Sequence, residues 1–80
     1  MAHEEVKVLH NERNFLLIVR DMDPDRPEEG LVGQLWEIHK NDEHEHIHSL
    51  VAPVGESKED FLERLKDLTA YYADNSPIRQ

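Results

Sequence analysis

Histidines at alternate positions are the most conspicuous chemical feature of this chain. Residues 43–48 read EHEHIH, so His44, His46 and His48 are spaced two residues apart. Because side chains alternate between the two faces of a strand, a strand here would put the three imidazoles on one face. Imidazole nitrogens are good ligands for zinc, nickel and copper. The spacing therefore makes a divalent metal site one hypothesis for this segment.

A turn just before this segment would bring further ligands to the same face. If residues 41–42 form a two-residue turn, His39 lies opposite His44 and Glu37 lies opposite His46. The predicted ligands are then His39, His44, His46, His48 and Glu37. Two alternatives stay open: an exposed polar strand face that binds nothing, and a pH response of neighbouring imidazoles that titrate near neutrality. The expected cofactor is accordingly either none or a zinc or nickel ion.

Other common kinds of catalytic or binding site lack the residues they need. Residues 21–25 begin like a calcium loop, but Arg26 stands where that loop requires glycine, and Val32 stands where it requires glutamate. The absence of cysteine excludes thiolate metal sites and thiol nucleophiles. Three isolated glycines make no phosphate-binding loop. We therefore predict that the protein is not an enzyme.

Four segments have the composition of strands. They are residues 6–10, 14–20, 31–39 and 44–54, and short polar segments separate the first from the second and the third from the fourth. The longer connection, residues 21–30, contains two prolines and a glycine, which exclude a helix interior or a central strand there. The pattern predicts two β-hairpins that together form a four-stranded antiparallel sheet.

One amphipathic helix is predicted after the strands, over residues 57–73. Ser57 has the character of an N-cap, with Asp60 at the third helical position. Apolar residues from Phe61 to Tyr72 recur at helical spacing and form one stripe. The fold class is therefore α+β, with the C-terminal helix packed on one face of the sheet. We expect one domain over residues 1–80, frayed at residues 1–4 and 75–80.

Alternation assigns each apolar strand residue to one sheet face. With this alternation, the predicted residues on the side beneath the helix are Val6, Val8, Phe15, Leu17, Val19, Val32, Trp36, Ile38, Ile47 and Val51. The other side is left with Leu16, Ile18, Leu31, Leu35 and Leu50. Such a group is larger than the apolar patch that soluble monomers usually expose. We therefore predict that these five residues form an interface, most commonly with a second copy of the chain.

The charge of the chain limits the partners it can have. Nine Lys and Arg residues against 18 Asp and Glu residues give a net charge of −9, which disfavours nucleic acids and anionic membranes. The first residues resemble no signal peptide, and no apolar stretch is long enough to span a bilayer, so we expect a cytoplasmic protein. The sequence predicts a small acidic interaction or regulatory module, homodimeric, that binds another protein, for example as an inhibitor occupying a basic surface. The alternative is a histidine-based metal-binding or metal-sensing protein.

Overall fold

The computed structural model describes residues 3–76, with Pro27 by its backbone alone. Its elements are β1 (His3–His10), β2 (Arg13–Asp21), a short 3-10 helix (Pro27–Glu29), β3 (Leu31–Ile38), β4 (His44–Ala52) and α1 (Lys58–Asn75). The strands form one antiparallel sheet in the order β1-β2-β3-β4, and α1 packs on one face of it. The predicted α+β fold is confirmed.

The ends of the chain were predicted to fray. Residues 1–2 and 77–80 lie outside the described residues, whereas residues 3–4 belong to β1 and residue 75 is the last of α1. Within residues 3–76 no helix has both the length and the apolar composition needed to cross a membrane.

The first hairpin has a two-residue turn. Asn11 and Glu12 both have positive φ, 52° and 65°, as a type I′ turn requires. Across this turn Val8 pairs with Phe15 and Val6 pairs with Leu17, and paired residues project from the same face of the sheet. The prediction that these residues share the helix-facing side is confirmed, since Phe15 is buried and both valines pack against the core.

The face assignment predicted for β3 is wrong. Leu35 is the register partner of the core residue Leu17, and Leu31 and Leu35 are buried beneath α1. The opposite side of the sheet, which carries no helix, is called the open face; its half-buried apolar residues are Leu16, Ile18, Val32, Trp36 and Ile38. Leu16 and Ile18 therefore lie where they were predicted, whereas Trp36 and its neighbours exchange sides with Leu31 and Leu35.

Gly33 shows why β3 presents this side to the helix. A Cβ atom at Gly33 would lie 2.8 Å from the ring of Phe61 and 2.9 Å from Leu65 Cδ1. Real side chains essentially never approach so closely, so the missing side chain makes room for the best-buried residues of α1. A larger residue at this position would hold the helix away from the sheet.

The last strand contains a register shift that moves its residues relative to β3. Gly33 lies opposite Leu50 and Leu35 opposite His48, but Trp36 lies opposite His46, so one extra residue of β4 is accommodated between these pairs. Leu50 pairs with Gly33 on the helix-facing side and packs against the core, contrary to its predicted place on the other side. Val51 was predicted in the core and is 58% exposed.

The helix begins as predicted and ends two residues later. The Oγ atom of Ser57 accepts a hydrogen bond from the backbone N–H of Asp60 at 3.1 Å, which confirms the N-cap. The residues that α1 buries are Phe61, Leu65, Thr69 and Ala73, with Leu62, Leu68 and Tyr72 partly buried beside them. The stripe predicted from spacing is therefore the face that covers the sheet.

Candidate functional sites: the open face and a His–Glu cluster

Trp36 lies on the open face, on the inner strand β3, and is held there by polar neighbours. Its indole Nε1–H donates to Gln34 Oε1 at 3.1 Å, and the ring of His46 packs edge-on against it with centroids 5.0 Å apart. His46 Nε2 in turn lies 2.8 Å from Ser49 Oγ. Tryptophan is enriched among the residues that dominate binding energy at protein interfaces. The open face therefore presents a large aromatic side chain whose position is already defined.

The open face is almost free of acidic residues. Among residues 3–76, which include all 18 Asp and Glu residues of the chain, only Glu5 occupies an open-face strand position. Lys7 and Arg20 lie on the same side by register. The remaining acidic residues lie in loops, in the 3-10 helix, on α1 or on the helix-facing side of the sheet. The open face is thus the apolar, nearly neutral part of a strongly acidic molecule.

The five residues predicted as metal ligands do not share one face. His44 and His46 are register partners of Ile38 and Trp36 on the open face, whereas Glu37 is buried on the helix-facing side. His48 lies opposite Leu35, beyond the register shift, and is exposed. The prediction of a single histidine surface is therefore wrong.

The turn between β3 and β4 causes this separation. His39 and Glu43 close a three-residue loop, with hydrogen bonds from His39 N–H to Glu43 O at 2.8 Å and from Asp42 N–H to His39 O at 2.9 Å. Asp42 has a φ of 64°, the left-handed residue typical of such loops. The predicted loop was one residue shorter, and a slip of one residue moves every side chain of a strand to the other face.

A different cluster of ligand atoms forms at this end of the sheet. One atom each from Glu37, His39 and Glu45 lies within 4.8 Å of the others, and His39 Nε2 is 2.9 Å from Glu45 Oε1. Glu37 and Glu45 are register partners on β3 and β4. We call these three residues the His–Glu cluster. Glu45 was not among the predicted ligands, because the shorter predicted loop places it on the opposite face from Glu37.

Arg13 joins this cluster to the end of the helix. Its Nε and Nη2 atoms donate to the two carboxylate oxygens of Glu37, each at 2.8 Å, and both residues are about 95% buried, at 5% and 4% exposure. Its Nη1 atom donates to Ser76 O at 2.8 Å and to Ala73 O at 3.4 Å. The Glu37 carboxylate raises the pKa of Arg13 above its ordinary value. No local pattern signals this pair, since its members lie 24 residues apart.

A second polar contact holds the end of α1 to the first turn. His10 Nε2 lies 3.0 Å from Asp74 Oδ1, and Asn11 Nδ2 donates to the same oxygen at 2.7 Å. The hydrogen bond with His10, assisted by that from Asn11, lowers the pKa of Asp74. Together with Arg13, this contact fixes the C-terminal end of the helix over the hairpin turns.

Comparisons with protein families, with curated proteins and with solved structures find no match to this chain. Function is therefore inferred from the geometry of the two candidate sites.

Proposed function

We propose that the protein is a small acidic interaction module that works through its open face, and that the occupant of this face is a second copy of the chain. The observation that carries the proposal is the group of half-buried apolar residues around Trp36 on a sheet face without a helix. Exposed apolar groups of this kind mark interaction surfaces. Two-fold homodimers are the commonest assemblies in which one surface meets itself.

The size of the open face suits such a dimer. The sheet has four strands, and strands lie ~4.8 Å apart with a rise of ~3.3 Å per residue. With strands of eight or nine residues, the face measures about 19 by 26 Å, or about 500 Å². Two such faces bury about 1,000 Å² in total, which is the lower limit for a specific interface.

The distribution of charge favours contact between two open faces. Two molecules that each carry a net charge of −9 repel one another, so they can associate closely only where acidic groups are sparse. The central part of protein interfaces is depleted of charged residues, as the open face is. Its few charges, Glu5, Lys7 and Arg20, nearly balance, which suits a neutral partner surface. An identical copy supplies such a surface and leaves both helices pointing outward.

The test is the oligomeric state of the unaltered chain and of a variant charged at the open face. Light scattering should show a dimer at micromolar concentration, and Ile18→Glu should make it a monomer, because dimerisation would bury an unpaired charge. Val54→Glu is the matched control, since Val54 is a 71% exposed apolar residue in the loop before α1. It should remain a dimer.

Circular dichroism separates dissociation from unfolding in this experiment. Ile18→Glu should keep the spectrum of the unaltered protein, because in the monomer the new carboxylate faces water. A monomeric unaltered chain at high micromolar concentration would contradict the proposal, and so would a dimer that survives Ile18→Glu.

A further inference from the structure

We propose that the His–Glu cluster binds a divalent transition-metal ion of the zinc or nickel type. The three ligands offer one imidazole nitrogen and two carboxylate oxygens, a donor set suited to such ions. This site is on the other side of β3 from the open face, so the inference does not depend on the proposed dimer.

The distances are close to those of a metal site. Ligand atoms lie ~2.0–2.2 Å from zinc, so two ligands of one ion are at most about 4.4 Å apart. His39 Nε2 and Glu45 Oε1, at 2.9 Å, already satisfy this limit, and one ligand atom from each of the three residues lies within 4.8 Å of the others.

Burial distinguishes this cluster from the acidic groups that are common on protein surfaces. Glu37 is 4% exposed, and the side chains of His39 and Glu45 are 21% and 27% exposed. Glu37 and Glu45 project from paired strands, and His39 is held by its backbone hydrogen bond to Glu43. The ligands are therefore positioned by regular structure before any ion arrives, which lowers the cost of binding.

Arg13 acts as the outer partner of the buried ligand. Carboxylates that bind metals are commonly oriented by a hydrogen bond from a second residue, and Arg13 holds both oxygens of Glu37. Each carboxylate oxygen has a second lone pair that can still face an ion. Glu37, Glu45 and Arg13 present two carboxylates against one guanidinium, and a divalent cation offsets the remaining negative charge.

The site is also accessible from solvent. A surface hollow at this end of the sheet is lined by all three ligands and by polar residues that include Glu12 and Asn41. Water can therefore complete the coordination of an ion held by three protein ligands. The ion would join β3, the turn and β4 beside the end of α1. It would bind only the folded chain and so stabilise it by mass action.

Zinc titration of the tag-free protein tests the site, with calorimetry and thermal denaturation as readouts. We expect saturable binding of one ion per chain and a higher melting temperature with zinc. His39→Ala and Glu45→Gln should each weaken binding at least tenfold and remove the thermal shift. The double variant His44→Ala with His48→Ala is the matched control, because it removes two exposed histidines of β4 outside the cluster. It should bind zinc as the unaltered chain does.

Three results would overturn the inference. Loss of binding in the control, with binding retained in His39→Ala, would assign the ion to the exposed histidines of β4. Equal binding by all variants would mean nonspecific attraction to the acidic surface. The absence of saturable binding at high micromolar zinc would mean that the cluster is no metal site. The dimer is measured separately by light scattering, so failure of the metal site and failure of the dimer are distinguishable.

Discussion

Replacing Arg13 by methionine should be among the most damaging single changes to this fold. Methionine keeps much of the apolar stem of the side chain but removes the guanidinium. Glu37, at 4% exposure, would then be a buried carboxylate without its cation, and the carbonyls of Ala73 and Ser76 would lose their donor. Removing one partner of a buried ion pair costs about 3–5 kcal/mol. A chain of 80 residues has a total stability of about 4–12 kcal/mol. The variant should therefore lose at least about a quarter of the stability of the fold, and most of it if the unaltered chain is near the lower end of this range.

A second substitution separates the unpaired charge from the loss of packing. Replacing Glu37 by methionine in the Arg13→Met background removes the buried carboxylate as well, and changes that remove both partners are often close to neutral. We therefore expect the double variant to be more stable than Arg13→Met alone, by about 2 kcal/mol or more. A double variant that is more stable than the single variant is expected only when the two side chains form a buried, coupled pair.

Urea unfolding, followed by circular dichroism and by the fluorescence of Trp36, measures these differences. Urea is preferable to guanidinium chloride because a salt screens ion pairs. All variants are compared at one protein concentration, since dimerisation makes stability depend on concentration. A loss below about 1 kcal/mol for Arg13→Met would refute the reasoning. A double variant that is less stable than Arg13→Met would also refute it.

Two further predictions concern the contacts of α1. Gly33→Ala should destabilise the fold by about 1–3 kcal/mol in urea unfolding, because its Cβ would meet Phe61 at 2.8 Å; an unchanged midpoint would show that the helix can move away freely. Asp74→Asn should lower the melting temperature near neutral pH but not in acid. The contact with His10 lowers the pKa of Asp74, so its stabilisation is present above the unfolded pKa of about 3.9 and is lost as pH falls through the lower folded value. A difference from the unaltered chain that does not shrink between neutral pH and pH ~3 would contradict this cause.

Local patterns were sufficient to predict the order of the elements and the start of the helix. Ser57 and Asp60 form a cap from residues three apart, and the apolar stripe from Phe61 onward repeats at the helical period. Such features depend on neighbours in the chain, so the sequence carries them directly. The same holds for the first hairpin, whose two-residue turn places Val6 and Val8 on the face of Phe15.

The side of β3 that faces the helix was not predictable in this way. This strand is apolar on both sides, with Leu31 and Leu35 on one and Val32 and Trp36 on the other. Side-chain alternation alone does not show which of two apolar sides is buried. The long connection before β3 also does not fix which side of β3 continues the helix-facing side of β2. Packing made the choice, because α1 can approach closely only over Gly33.

The histidine segment, residues 43–48, likewise combines a feature that the sequence predicts with features that only the tertiary structure sets. Its composition by itself indicates a strand with alternating imidazoles, and residues 44–52 do form β4. A turn one residue longer than predicted decided which of its side chains meet Glu37, and the register shift further along the strand separated His48 from His44 and His46. Arg13 likewise finds Glu37 and the end of α1 only when three distant segments are packed together. The sequence thus determined the elements through local hydrogen bonding and periodicity, whereas register and packing between distant residues decided which side chains form the sites.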